Sequence, residues 1–239
     1  MNRAVLAAPA VAAGVVLAQL APSVASLGQW VPLQRLGPVT WRGTGAKVAF
    51  TFDDGPSDVA TPPLLDRLDE LGLRTTFFCL GAEAERRPDL VAEIARRGHQ
   101  IGTHGYRHRH HLGATPGWIA ADLDRSLDAL GAAGVQPRWF RPPYGQVSAG
   151  TVVAARRRRL RLALWSAWGR EWDEPDAAAV VARVGRSLRP GAVVLLHDSD
   201  RSSPAGSARR ALDALGPLVE RARAAGLVPV TLDEMAGGS

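Results

Sequence analysis

The sequence contains one cysteine and one lysine among its 239 residues. A single cysteine excludes an intrachain disulfide, and we expect Cys79, inside the apolar run 76–80, to pack as a small core residue. Because Lys47 is the only lysine, almost all of the positive charge behind the net +6 comes from arginine. No nucleic-acid recognition motif accompanies that charge, so we infer no nucleic-acid partner. A basic surface instead favours an anionic polymer or a membrane surface.

The first 25 residues have the composition of a targeting segment. Arg3 precedes an apolar run over residues 4–20, and Ser23-Val24-Ala25 offers a small-x-small cleavage site. We therefore expect an exported protein, extracellular or at the cell envelope, in which residues 1–25 form a signal peptide. If this segment is not cleaved, the same run is just long enough to serve as a membrane anchor.

The remaining chain divides into a linker over residues 26–44, rich in proline and glycine, and one globular domain over residues 45–236. Apolar periodicity in the domain predicts strands alternating with helices. The predicted strands cover residues 48–52, 74–80, 99–104, 138–140, 160–165, 192–196 and 227–232. The predicted helices cover residues 62–71, 88–97, 118–130, 148–159, 176–188 and 207–225. This alternation predicts an α/β fold with a parallel sheet, open or closed into a barrel.

Polar residues follow several of the predicted strands, and the carboxyl ends of parallel strands share one rim. Asp53 and Asp54 end the first strand, where side-chain alternation makes them face different ways. His104 and His108 are four residues apart, which on a helical turn places both imidazoles on one side. Two imidazoles and the Asp54 carboxylate form a typical catalytic zinc set, and Asp53 would remain free as a general base. An isolated Asp-Asp-Gly is otherwise a common turn or helix cap.

Three further residues with groups that could take part in catalysis lie at or just after the ends of predicted strands. Arg141 follows an apolar strand, and a carboxylate such as Asp53 is its natural partner; a surface arginine before a proline turn is the alternative. The prolines after it would stiffen the chain and fix the amide of Tyr144 as an oxyanion donor. His197 ends the run 193–196, where it is either a core histidine or a general acid beside a metal-bound water.

In order along the chain, four motifs resemble those of the polysaccharide deacetylases, the NodB-homology domain or carbohydrate esterase family 4. They are Thr51-Phe52-Asp53-Asp54-Gly55-Pro56, the His104 and His108 pair, Arg141-Pro142-Pro143-Tyr144-Gly145, and Leu196-His197-Asp198. The resemblance implies a distorted (β/α) barrel and a divalent metal, zinc or cobalt, held by Asp54, His104 and His108. It implies that Asp53 is the base, that Arg141 holds it, and that His197 protonates the leaving amine. Tyr144 would bind the oxyanion through its backbone, and Leu196 would line a pocket for the acetyl methyl group.

Two positions depart from the family pattern. Gly105 stands where a serine or threonine usually follows the first histidine. The fourth motif, usually Asp-x-x-Asp-Trp, reads Trp168-Gly169-Arg170-Glu171-Trp172. Glu171 is therefore the candidate acid that would adjust the pKa of His197. Trp165, Trp168 and Trp172 are candidates for walling the cleft and stacking on sugar rings, with core packing as the alternative for any one of them.

The resemblance predicts an enzyme: a metal-dependent amide hydrolase that removes N-acetyl groups from a carbohydrate polymer such as peptidoglycan or chitin. One alternative is an O-acetyl esterase of the xylan type using the same site. A second alternative is a non-catalytic carbohydrate-binding protein on the same fold.

Overall fold

The computed structural model of the chain describes residues 39–237. The predicted targeting segment and most of the predicted linker lie outside the described residues. Among the helices of residues 39–237, none is long and apolar enough to cross a membrane.

One sheet contains all nine strands found between residues 39 and 237, and every strand pairing in it is parallel. The strands are β1 Val39–Thr40, β2 Lys47–Asp53, β3 Thr76–Cys79, β4 Gln100–Thr103, β5 Trp139–Phe140, β6 Arg161–Ala163, β7 Ala167–Trp168, β8 Ala192–His197 and β9 Val228–Pro229. Their spatial order is β1-β6-β5-β4-β3-β2-β8-β7, with β9 also pairing with β2.

Helices follow most of the strands. They are α1 Thr61–Glu70, α2 Gly81–Arg86, α3 Pro88–Arg96, α4 Pro116–Ala132, α5 Ala149–Arg157, α6 Ala177–Gly185, α7 Ser207–Ala224 and α8 Leu232–Met235, and a 3-10 turn spans Pro143–Gly145. Their starts have local causes: α5 begins in a capping box between Ser148 and Thr151, and the Asp176 side chain caps α6. The predicted α/β alternation is confirmed.

The sheet curls into a partial barrel. Strands β6 and β7 lie near opposite ends of the strand order, yet only residues 164–166 connect them. Because three residues span only about 10 Å, the two ends of the sheet must lie close together. The distorted barrel that the family resemblance implied is therefore the observed architecture, and the carboxyl ends of its strands share one rim.

The structure adds elements that the sequence pattern did not predict. Strand β1 lies within the segment predicted as linker and pairs with β6, so residues 39 and 40 belong to the sheet. Strand β7 and the short helices α2 and α8 were also not predicted. Two-residue strands and helices of four to six residues are too short to show a periodic pattern.

Strand β2 is the centre of the sheet, pairing with β3, β8 and β9. Its side chains alternate as expected. Phe50 and Phe52 pack into the main apolar core shared with the helices. Thr51 and Asp53 face the other way, towards the barrel interior, where both contact Arg141. The strand therefore places a carboxylate at the rim of the barrel on a rigid, fully buried support.

Tight packing between β3 and β4 gives a first testable prediction. A Cβ on Gly102 would lie 2.6 Å from the Phe78 ring and 3.1 Å from the Trp139 carbonyl oxygen. We expect Gly102→Ala to lower the free energy of unfolding by about 1–3 kcal/mol, because neither neighbour has room to move in a buried sheet. Urea unfolding of the variant measures this loss. Gly117→Ala is the matched control, since nothing lies within 4 Å of the added methyl group; an equal loss in the control would contradict the packing argument.

Candidate active site

The site begins where β2 ends. Asp53 and Asp54 are both buried, with 2% and 1% of their surfaces exposed. Asp54 has φ 77°, in the left-handed region that aspartate tolerates better than most residues. The sequence predicted that the two side chains face different ways, but both carboxylates approach His104 Nε2, Asp53 Oδ2 at 3.7 Å and Asp54 Oδ1 at 3.4 Å. The pair does not cap the following helix, whose cap residue is Ala60.

His104 and His108 both present Nε2 to Asp54. The distances to Asp54 Oδ1 are 3.4 Å from His104 and 3.5 Å from His108. The predicted helical turn between the histidines is wrong, because residues 104–110 form an irregular loop. The buried Asp122 carboxylate holds this loop by accepting the amides of Tyr106 and Arg107 at 2.8 and 3.1 Å.

The loop also explains the departure from the family at Gly105. This residue has φ +80°, and a Cβ there would lie 2.9 Å from Asp122 Oδ2. A side chain at this position would therefore be strained and would crowd the carboxylate that fixes the loop.

The three side chains fit a cation. Their ligand atoms lie within 4.8 Å of one another. Within the described residues, neither oxygen of the buried Asp54 carboxylate has a hydrogen-bond partner. His104 Nδ1 is 2.6 Å from the Arg141 carbonyl oxygen, so Nδ1 carries the proton and donates it. Burial lowers the pKa of His104 to about 3, so its Nε2 points a lone pair, not a proton, at the carboxylate. A cation between them would satisfy both the carboxylate and the imidazole nitrogen.

Arg141 is fully buried and binds Asp53 on the barrel side of the sheet. Its Nη1 donates to Asp53 Oδ1 at 2.7 Å and to Thr51 Oγ1 at 2.8 Å, and its Nη2 donates to the Leu164 carbonyl at 3.1 Å. The predicted pairing is therefore present. Burial raises the pKa of Asp53 above its usual value, and the charge of Arg141 only partly opposes this rise. Asp53 is consequently a stronger proton acceptor than a free aspartate.

Tyr144 lies at the mouth of the site with φ 57°, and 49% of its surface is exposed. The hydrogen bonds that close its 3-10 turn come from the amides of Gly145 and Gln146, not from the Tyr144 amide. Its ring stacks on His110, with centroids 3.8 Å apart, and lies against His108. The strained turn therefore places this residue directly beside His108, one of the three candidate metal ligands.

His197 ends β8 opposite Asp53, with which its Cα is in register. Its Nδ1 lies 2.7 Å from Oε1 of Glu171, a carboxylate with no solvent exposure. Burial alone would lower the pKa of His197, but the charge and hydrogen bond of Glu171, together with the charges of Asp54 and Asp53, outweigh this and raise the pKa to about 9. The structure thus places Glu171 where it can hold His197 in the protonated form.

A cavity of about 400 Å³ joins these residues. It is lined by Asp53, Asp54, His104, His108, Tyr144, Trp165, Trp168, Arg170, Trp172, Leu195, His197, Ser202 and Ser203. The three tryptophans form one aromatic wall, with successive ring centroids 5.4 Å apart. Trp172 also contacts the His197 ring edge-on. Trp168, which replaces the usual acid of the family motif, is therefore part of the wall.

The prediction that Leu196 lines the pocket is wrong. Leu196 packs in the core between the sheet and the helices. Side chains alternate along β8, so Leu195 shares a face with His197 and lines the cavity. The sequence alone could have given this result, because Leu195, two residues before His197, must lie on the same face of the strand. Arg170, Ser202 and Ser203 were also missed, and no motif or periodicity marks them.

A partial barrel of parallel strands, whose rim brings a candidate cation site together with the buried Asp53 carboxylate and His197, has the arrangement of a metal-dependent hydrolase. The chain belongs to the polysaccharide deacetylase family, whose model matches residues 42–163.

Similar proteins agree with this assignment. The chain is 32% identical to a peptidoglycan-N-acetylglucosamine deacetylase of Bacillus cereus, over 87% of this chain and 76% of that protein. It is 36% identical to a chitooligosaccharide deacetylase of Sinorhizobium fredii, over 70% of this chain and 79% of that protein. A crystal structure of the Bc1960 peptidoglycan N-acetylglucosamine deacetylase matches with a TM-score of 0.80 and 30% identity, covering 88% of this chain and 99% of that one.

Proposed function

We propose that this protein removes N-acetyl groups from an amino-sugar polymer, with a zinc ion held by Asp54, His104 and His108. The observation that carries the proposal is one cavity in which the unsatisfied Asp54 carboxylate and two imidazoles occur together with Asp53 and His197. The two relatives described above are named as deacetylases of peptidoglycan N-acetylglucosamine and of chitooligosaccharides, which supports this substrate class. Two imidazoles with one carboxylate are a typical zinc set.

A metal ion held by Asp54, His104 and His108 would supply the Lewis acidity that amide hydrolysis by water needs. Asp53 accepts the proton of the attacking water, and Arg141 fixes the carboxylate through Oδ1, which leaves Oδ2 to act. His197, on the neighbouring strand β8, donates a proton to the amide nitrogen as the carbon–nitrogen bond breaks. The Tyr144 amide supports the developing oxyanion.

The wall of Trp165, Trp168 and Trp172 suits the apolar face of a sugar ring. The Glu171–His197 pair favours an amide substrate over an ester, because an amine leaves only when it is protonated. An ester oxygen depends less on that proton.

Replacing Glu171 with glutamine tests how His197 is tuned. The variant keeps the shape and a hydrogen-bonding group but removes the charge that raises the pKa of His197. Activity that needs protonated His197 falls as pH rises through this pKa, so we expect the alkaline limb of kcat/KM to move down by about 1–2 pH units. The pH profile of acetate release measures the shift. The parent and the variant are assayed with the same ion, so the difference between their pH profiles reports the effect of Glu171 on His197. An unchanged alkaline limb would contradict this role of Glu171.

Acetate release tests the proposed function itself. The substrates are N-acetylglucosamine oligomers and peptidoglycan, each assayed with a chelator and then with zinc or cobalt restored. Release that is lost with the chelator and regained with metal supports the deacetylase. Release only from acetylated xylan or an aryl acetate would establish the esterase instead. A protein that binds the oligomers but holds no metal after reconstitution would be a non-catalytic binding protein.

We also propose that the protein acts outside the cytoplasm, at the cell envelope, because residues 1–25 have the pattern of a signal peptide or membrane anchor. Fractionation of cells that express the full chain, with N-terminal sequencing of the product, distinguishes a cleaved signal peptide from a retained membrane anchor. Recovery of the intact chain in the cytoplasm would contradict the proposal.

A further inference from the structure

A second depression, of about 510 Å³, opens beside the catalytic cavity. The two are lined in common by His108, Tyr144 and Ser202. The rest of its lining includes Arg107, Arg109 and Arg201, and no acidic side chain lines it. We call it the arginine depression. A polymer seated over the metal site would extend across it.

Arg107 and Arg109 are exposed, and in residues 39–237 neither forms an ion pair. Arg109 lies over the Trp118 ring instead, 5.5 Å from its centroid. Asp122 lies beneath their loop, but its buried carboxylate already accepts the amides of Tyr106 and Arg107. Both guanidinium groups are therefore available to a ligand.

Arg201, in the segment that follows β8, contributes a third charge. It pairs with Glu83, which also binds Arg86. One buried carboxylate is thus shared by two arginines, and the side chain of Arg201 remains 52% exposed. The net charge around the depression is consequently positive, and arginine forks match planar oxyanions well.

We propose that the arginine depression binds an anionic substituent of the polymer, carried close to the acetamide that reacts, and so selects acidic polymers over neutral ones. The inference rests on the proposed deacetylase function and adds a substrate class to it. A carboxylate and a phosphate share the chemistry that three arginines recognise, and the experiment distinguishes them.

The test compares matched tetrasaccharides of N-acetylglucosamine and N-acetylmuramic acid. One carries free carboxylates, the second has them converted to carboxamides, and a third carries phosphate in their place. At low ionic strength we expect kcat/KM for acetate release to be about 10-fold higher with the carboxylate form than with the carboxamide form. High salt and the double variant Arg107→Gln/Arg109→Gln should each reduce this ratio to about 2-fold or less. A stronger preference for the phosphate form, lost in the same variant, would support the subsite and identify its anion as phosphate.

The control is Arg156→Gln/Arg157→Gln, which removes the same charge from exposed positions at the far end of α5. This variant should keep the ratio of the parent enzyme. Equal use of the charged and neutral forms, or a preference that survives in Arg107→Gln/Arg109→Gln, would overturn the proposal. Calorimetric binding of the same oligosaccharides to Asp53→Asn measures the preference without turnover. If no substrate releases acetate, the proposed function fails while the binding ratio still decides the inference.

Discussion

Asp54→Asn is expected to abolish metal binding and to lower kcat/KM for acetate release by about 1,000-fold or more. The carboxylate is buried and, within the described residues, its oxygens have no hydrogen-bond partner, so a cation bound there would compensate its charge. Asparagine has nearly the same shape but offers no charge to the ion. Metal content after dialysis, measured together with acetate release, checks both effects. Asp128→Asn on the exposed face of α4 is the control and should retain metal and activity.

Although metal binding and activity should be lost, the metal-free Asp54→Asn variant should be at least as stable as the metal-free parent. Without metal, the parent protein carries a buried charge with no partner, which is unfavourable. We therefore expect metal-free Asp54→Asn to unfold at the same temperature as the metal-free parent or at a higher one. Added zinc should raise the unfolding temperature of the parent only, because a ligand stabilises the state that binds it. A variant that binds zinc as tightly as the parent would show that Asp54 is not a ligand.

Much of this site follows from the sequence because its residues end strands. Asp53, Asp54, Arg141 and His197 each come directly after apolar runs, and parallel strands bring their carboxyl ends to one rim. The alternation of side chains then separates the roles of the two aspartates. These features depend on local patterns, which a single sequence displays.

Other parts depend on tertiary packing that no local pattern records. The loop that carries both histidines is fixed by Asp122, which lies on α4 well along the chain. Glu171 reaches His197 only because the short strand β7 pairs with β8 and brings the two segments together. The arginine depression likewise joins residues 107 and 109 to residue 201. Such contacts are set by the curl of the sheet.

His197→Ala is expected to separate amide from ester chemistry. The nitrogen of an N-acetyl group leaves as an amine and needs a proton, so we expect kcat on N-acetylglucosamine oligomers to fall by about 100- to 10,000-fold. An aryl oxide leaves without that help, so the rate on an aryl acetate should fall by about 10-fold or less. Metal content should be unchanged, since His197 is not among the ligands. Equal losses on both substrates would show that His197 does not act as the leaving-group acid.

The double variant Glu171→Gln/His197→Ala completes this test. Alone, His197→Ala leaves the buried Glu171 charge without its partner, which costs about 3–5 kcal/mol of stability. Removing that charge as well should restore the unfolding temperature. If Glu171 acts only through His197, Glu171→Gln should lower amide hydrolysis in the parent background and have little further effect once His197 is absent. A full second loss in the double variant would mean that Glu171 acts on the substrate or the metal by another route.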